Sequence, residues 1–283
     1  MYKHKEITEV VQMEFKMPIR EQNSNKGTFG KVLNIAGSKN YIGAPYLSSL
    51  AILKTGAGYV ALASDKNVIN SVSKLLPEAV FLSRNEGVKN LENFDVYLIG
   101  CGLGQGFWSK FWFKKFVTKL QNTDKPVVID ADGLNIASKM NISMPKNCII
   151  TPHPAEASRL LGVNISNVLE DLTFSAKKLS EKYNCVTVLK THRTIVCNSN
   201  GEIYINEHGN SALAKAGTGD VLAGMIAGLL AQKMPLYEAA KLGVYMHSIA
   251  GESASKALTE YSVLASDLVN YIPGVIKELN QQP

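Results

Sequence analysis

Short apolar runs alternate along the chain with longer stretches whose apolar residues recur at helical spacing. Val32–Ala36, Tyr59–Ala63, Ala79–Leu82, Asp95–Ile99, Pro126–Ile129, Cys148–Ile150 and Val186–Leu189 read as strands. Between them, a stretch opened by Tyr41–Pro45 and running to Lys54, then Val68–Leu75, Trp108–Leu120, Leu134–Lys139, Glu156–Leu161 and Val168–Tyr183, read as helices. Thr194–Cys197 and Ile203–Ile205 flank the turn residues Asn198-Ser199-Asn200-Gly201 and read as a hairpin. Three helices close the chain: Val221–Ala231, Leu236–Leu258 and Val263–Leu279. Strands that alternate with helices imply an α/β fold, a mainly parallel sheet covered by helices on both faces. Ile7–Phe15 reads as a short helix stopped by Pro18, within an N-terminal arm over residues 1–25. No repeat, linker or low-complexity segment divides the chain, so one domain over 1–283 is expected.

Composition narrows the class. The 283 residues are 46% hydrophobic and 19% charged, ordinary for a soluble globular protein with a sizeable core. The formal net charge of +6 favours anionic ligands weakly, and most of it reads as a solvated surface. No Lys/Arg run marks a nucleic-acid arm. MYKHKEITEV lacks the apolar core of a signal peptide. Val221–Ala231 is too short to span a bilayer, which takes ~20 residues, so Gly224-x-x-x-Gly228 reads as close helix packing. A cytoplasmic protein without nucleic-acid or membrane partners is expected. Cys101, Cys148, Cys185 and Cys197 are far apart and form no C-x-x-C pair, so free buried thiols are expected rather than a metal site.

The chemistry collects where strands end, the ligand-binding side of such a sheet. The densest stretch is Glu207–Lys233, in which Gly217-Thr218-Gly219-Asp220 precedes a mostly apolar helix. Glycines before a helix N-terminus let an anion approach unpaired N–H groups. A carboxylate there is better explained as a base for a hydroxyl attacking phosphorus than as a phosphate ligand. The alternative is that Asp220 only caps the helix. Gly100–Gly106 follows one strand with four alternate glycines but lacks the full dinucleotide fingerprint. Asp130 and Asp132 follow another and suit hydrated Mg²⁺ or ligand hydroxyls, unless Asp132 is a helix cap. His153 is boxed between Pro152 and Pro154, as a site residue or a structural one. Lys190-Thr191-His192-Arg193-Thr194 suits a nucleotide phosphate or ribose, or is an ordinary polar turn.

Six segments now stand in one order: KGTFGKVLNIAGSKNYIGAPYLSSLAILKTGAGYVALA, GCGLGQG, VVIDADGLN, ITPHPAEASRLLG, TVLKTHRT and HGNSALAKAGTGDVLAG. Together they resemble the NAD(P)H-hydrate dehydratase family of the ribokinase-like superfamily, in its stand-alone form, from about Lys26 to the last helix. The resemblance implies repair of the S-form of hydrated NADH or NADPH, whose ring hydroxyl is phosphorylated from ADP or ATP and then leaves as phosphate. Hydroxide is a poor leaving group, and phosphorylation makes a good one. By the same resemblance, Asp220 is the base and Ala216, Gly217, Thr218 and Gly219 form the anion hole. Lys190, Thr191, His192, Arg193, Thr194 and Gly219 contact the adenylate of the donor. Ala44, Gly104, His153 and Asp220 contact the hydrated dinucleotide. Mg²⁺ is carried mainly by donor phosphates, with Asp130 and Glu156 beyond them and no direct protein ligand. A homo-oligomer is expected, a tetramer among the options.

Three departures stand out. His153 to Glu156 reads His-x-x-Glu where sugar kinases of the superfamily carry Asn-x-x-Glu, which speaks against direct metal binding by Glu156. Thr191 stands where Gly is frequent, so the backbone there is expected to be less free. Cys101 replaces a usual Pro and is expected to be tolerated. Two other readings compete with the dehydratase: a kinase of the same superfamily acting on a vitamin precursor or sugar, and a non-catalytic nucleotide-binding module, against which Asp220 beside an intact Gly-Thr-Gly argues.

Overall fold

The computed structural model describes residues 15–281. The helix expected over residues 7–15 therefore lies outside the described residues, except for Phe15, which is in irregular backbone. The ring of Phe15 stacks on Tyr245 at 4.7 Å.

Among the described residues, nine strands form one sheet in the order β3-β2-β1-β4-β5-β6-β7-β8-β9. They are β1 (Lys31–Ile35), β2 (Tyr59–Ser64), β3 (Val80–Ser83), β4 (Val96–Ile99), β5 (Val127–Ile129), β6 (Cys148–Ile150), β7 (Val186–Leu189), β8 (Ile195–Cys197) and β9 (Ile203–Ile205). Pairing is parallel from β3 across to β7. It is antiparallel for β7 with β8 and for the β8–β9 hairpin.

Both faces of the central strands are covered. Val32, Leu62, Leu98, Val128 and Ile149 share one core with α1 (Gly43–Thr55), α9 (Thr218–Ala231), α10 (Leu236–Leu258) and α11 (Ala265–Leu279). Leu33, Ile35, Tyr97, Ile99 and Ile150 face a second core, with α4 (Phe107–Leu120), α5 (Asp132–Met140), α6 (Pro154–Leu161) and α8 (Leu172–Tyr183). Successive strand residues thus point into different cores, which is why these strands are continuously apolar rather than alternating.

Helix α9 is buried along almost its whole length. It lies tightly on α1 because a Cβ at Gly224 would stand 2.4 Å from the carbonyl oxygen of Ser48. The expectation that Gly224 and Gly228 mark close packing is met: a Cβ at Gly228 would stand 2.8 Å from Ile52 O.

Two short helices depart from the sequence reading. α3 (Arg84–Lys89) was not anticipated; Ser83 and Glu86 open it with a reciprocal capping box. The single helix expected over Val168–Tyr183 is two, α7 (Ile165–Glu170) and α8, because the side chain of Asp171 caps α8 by accepting from Phe174 N at 2.8 Å. The remaining helix, α2 (Lys66–Val72), follows β2.

The topology locates a crevice. The chain runs β1, β2, β3 to one side, then returns to place β4 on the other side of β1. The connections leaving β1 and β4 therefore diverge at the carboxyl edge, where ligands bind in open α/β sheets. No described helix is long and apolar enough to cross a membrane.

Candidate active site

Four strand ends and one helix start converge at that edge. Gly100 follows β4 with φ +124°, and a Cβ there would stand 2.0 Å from the carbonyl oxygen of Asp130. This close approach brings the next residue, Cys101, against the carboxylates of Asp130 and Asp220; ligand atoms of the three lie within 4.8 Å of one another. Asp130 follows β5 and is firmly held. Thr151 Oγ1, after β6, donates to its Oδ1 at 2.6 Å, and Lys190 Nζ, after β7, lies 2.7 Å from the same oxygen. Lys190 N also donates to Pro152 O at 2.8 Å, which ties the ends of β6 and β7 together. Ala131, between Asp130 and Asp132, sits at φ 49° and ψ −118°, a strained conformation for a residue with a Cβ.

Helix α9 supplies the opposite wall. Gly217 precedes it at φ +95°, where a Cβ would crowd Leu47 and Ala265. The turn is pinned by Thr218 Oγ1, which donates to the carbonyls of Leu213 and Lys215 at 2.8 Å each. Buried His247, on α10, lies 2.9 Å from Thr218 O through Nε2. Burial pushes the His247 pKa down to about 4, so the ring is neutral, and facing a carbonyl its Nε2 carries the proton. Among the described residues, no group accepts a hydrogen bond from the N–H of Gly219 or Asp220. Those donors are available at the positive end of the helix dipole. Asp220 is the third residue of α9; Gly217 holds the cap position without a side chain. The capping alternative for Asp220 is thereby overturned.

The electrostatics follow from crowding acids in a low-dielectric pocket. Burial, and then the charge of Asp130, push the Asp220 pKa up to about 7. Burial likewise pushes Glu156 up to about 7, with Lys190 opposing and Asp130 reinforcing the shift. Burial works against the Lys190 ammonium, but Asp130 and Glu156 outweigh it and its pKa rises. The buried Cys101 thiol is pushed well up, so it stays protonated. His153 titrates below its usual value through burial and the charges of Lys190 and Arg159.

The family model described as NAD(P)H-hydrate dehydratase matches residues 32–274. The chain belongs to the NAD(P)H-hydrate dehydratase family. The ADP-dependent (S)-NAD(P)H-hydrate dehydratase of Neisseria meningitidis serogroup B is 39% identical over 239 residues, 82% of this chain and 80% of that one. The bifunctional NAD(P)H-hydrate repair enzyme of Moorella thermoacetica is 33% identical over 94% of this chain, which spans only 53% of that longer protein. Among solved structures, the ADP/ATP-dependent NAD(P)H-hydrate dehydratase of Bacillus subtilis, co-crystallized with ATP/Mg²⁺, superposes with TM-score 0.83 at 32% identity, covering 93% of this chain and 95% of that one. A ribokinase-like superfamily protein of Enterococcus faecalis superposes with TM-score 0.86 at 32% identity, over 94% and 93% of the two chains. The fold is ribokinase-like.

Seen as a member of this family, the chain gathers some expected site residues more closely than others. Asp130, Lys190 and Asp220 surround one point, and a Cβ at Gly219 would stand 3.5 Å from Lys190 Nζ. Glu156 joins through the charges it exchanges with Lys190 and Asp130. His153 caps α6, its Nδ1 accepting from Ala155 N at 3.1 Å, and its Nε2 lies 3.4 Å from Glu156. Ala44 and Gly104 border the same loop: a Cβ at Gly102 would stand 2.9 Å from that of Ala44, and Gly104 N donates to Asp132 at 2.8 Å. Ala216 lies in the turn into α9. Thr191 to Thr194 form the β7–β8 turn and bond mainly within it, Thr191 Oγ1 donating to Arg193 O at 2.6 Å and Thr194 Oγ1 to Thr191 O at 3.2 Å. His192 and Arg193 are exposed, and Arg193 faces Glu207 at 3.7 Å. Thr191 is not among the positive-φ residues, so the turn does not require the glycine frequent there.

Three contributors escaped the sequence reading. Thr151 occupies the same strand-end place on β6 that Asp130 holds on β5, and that equivalence could have found it. Cys101 reads from the sequence as a buried thiol and a tolerated replacement, not as a neighbour of two carboxylates. His247 lies on an apolar helix with no local signal. A cleft of about 1010 Å³ opens between the Gly209–Lys215 loop and the end of α10; its lining does not include Asp130, Lys190 or Asp220.

Proposed function

We propose that this chain restores the S-form of hydrated NADH or NADPH to the reduced cofactor, using ADP or ATP as phosphoryl donor. The observation that carries the proposal is the carboxylate of Asp220, with a pKa of about 7, one residue from the free amide end of a helix. A base must be unprotonated yet able to take a proton near neutral pH, and this environment provides both. In the proposed reaction Asp220 takes the proton of the ring hydroxyl as its oxygen attacks the terminal phosphorus of the donor. The anion hole over Ala216 to Gly219, where the N–H of Gly219 is open, receives the charge on the transferring phosphoryl oxygens, and the Lys190 ammonium beside Gly219 adds to it. The phosphorylated carbon–oxygen bond then breaks, the ring nitrogen supplying electrons as phosphate leaves, and the adjacent ring carbon gives up a proton to water or the departing phosphate, which restores the ring double bond.

The donor set suits magnesium held mostly by phosphate and water oxygens. Asp130 Oδ1 is taken by Lys190 and Thr151, which leaves the protein few free oxygens, and magnesium needs only one or two carboxylates. Asp130 Oδ2 and Glu156 would face its water shell, and bound magnesium would neutralise the donor's charge. Ala44, Gly104 and His153 would hold the hydrated dinucleotide; Lys190 to Thr194 would hold the adenylate.

The decisive experiment incubates the protein with hydrated NADH, Mg²⁺ and either nucleotide. Recovery of reduced-nicotinamide absorbance supports elimination. A stable phosphoester would instead favour a kinase, and no nucleotide turnover would favour a binding module.

A further inference from the structure

Helix α4 carries a second pattern besides its buried stripe. Phe113, Phe116, Val117 and Leu120 are in the core, whereas Phe107, Trp108 and Phe111 are 77%, 66% and 44% exposed. The exposed rings form one cluster: Phe107 meets Trp108 edge-on at 5.4 Å, and Trp108 meets Phe111 at 6.0 Å. Clustered large aromatics at such exposure mark an interaction surface more often than scattered ones do. Lys110, Lys114, Lys115 and Lys119 run beside them, and α4 contains no Asp or Glu. Phe107, Phe111 and Met140 floor a groove of about 620 Å³ rimmed by the four lysines. Lys115 lies over the Trp112 ring at 5.0 Å.

We propose that this face of α4 docks on an anionic lipid surface. Aromatic rings settle at the level of lipid headgroups, and lysines lay their stems along apolar surface while their ammonium groups reach phosphate. Charge decides against a second copy of this chain as the occupant. A two-fold contact puts the same patch on both sides, and lysines would face lysines with no carboxylate on either helix. The sequence argument against a bilayer span is untouched, since this contact lies on the surface. Because α4 starts directly after the Gly100–Gly106 loop, the Phe107 end of this face is the end nearest that loop in the chain.

The test uses the full chain and vesicles of equimolar phosphatidylglycerol and phosphatidylcholine. Both tryptophans of the protein, Trp108 and Trp112, are on α4, so tryptophan emission reports on this face. The expected result is co-sedimentation with the anionic vesicles, a blue shift of emission, release by salt, and no binding to phosphatidylcholine alone. The F107S/W108S/F111S variant should lose binding. K110E/K114E should weaken it at least about 25-fold, at roughly fivefold per lysine. Circular dichroism checks that both variants fold, and the charge variant serves alone if the aromatic one does not. Absence of binding to anionic vesicles at low salt overturns the proposal, as does binding unchanged in the variants. So does a wild-type oligomer in sedimentation velocity that dissociates in the F107S/W108S/F111S variant, which would give the face to a second copy.

Discussion

Replacing Asp220 by Asn separates catalysis from stability. Unfolded, the carboxyl titrates near 3.8; folded, near 7. Between about pH 5 and pH 7 the folded protein holds a proton that the unfolded chain has lost. Stability therefore falls as pH rises through that window, at about 1.36 kcal/mol per unit, or ~2–3 kcal/mol in all. The Asn variant has no such proton, so its stability relative to wild type should improve by that amount from pH 5 to pH 8. Urea unfolding at the two pH values measures the difference. Turnover should fall by roughly 10²–10⁴-fold, the usual value of a positioned general base. Donor affinity should be kept or rise, because a negative charge has left a phosphate site. Were Asp220 present only to complement the helix dipole, its loss would cost ~0.3–1 kcal/mol at neutral pH and leave turnover alone. Near-wild-type turnover with no pH-dependent gain in stability would refute the assignment.

His153→Ala should weaken use of the hydrated cofactor more than use of the donor, and should also cost ~1 kcal/mol because His153 caps α6. His153→Asn should restore the cap but not the affinity; separate titrations of the two ligands decide, and equal loss for both would make His153 structural. ADP should outperform ATP in initial rate, as the name of the Neisseria meningitidis relative suggests; a clear preference for ATP would end that expectation. As pH falls from 6.5 towards 4 the unfolded imidazole of His247 gains a proton that the folded one refuses, so stability should drop by up to ~3 kcal/mol. His247→Gln can still donate to Thr218 O and should flatten this acid limb in urea unfolding; an unchanged limb would place the titration elsewhere.

The sheet was legible because its strands are buried on both faces. A continuous run such as Val127–Ile129 needs no partner to be read as a core strand, and the Gly201 turn announces the β8–β9 hairpin. What escaped was short and set by side-chain caps. Ser83-x-x-Glu86 is a visible signal for α3, but six residues give no periodicity to support it. Asp171 divides α7 from α8 inside a stretch whose apolar spacing continues through it. The start of α9 mattered most. Beginning that helix at Thr218 rather than Val221 moves Asp220 from a capping place into the first turn, and so changes what its carboxylate can do.

The candidate site was half legible, and the division has a physical cause. Strand-end residues are exposed to pattern reading because a parallel sheet sends every loop that follows a strand to one edge. Pairings are not: Lys190 meets Asp130 across 60 residues and His247 meets Thr218 across 29. Those pairings set the charge on which the chemistry depends. With Asp130, Glu156 and Asp220 all ionised, one lysine would leave the pocket strongly negative and hostile to a nucleotide phosphate. Lys190 is held against Asp130 instead, while burial lifts Glu156 and Asp220 to about 7. Near neutral pH the pocket can thus shed most of its negative charge without losing a carboxylate. The same shift that makes the amide end of α9 approachable by phosphate leaves Asp220 basic enough to accept a proton. Anion binding and base catalysis, which compete at an exposed Asp, become compatible at a buried one.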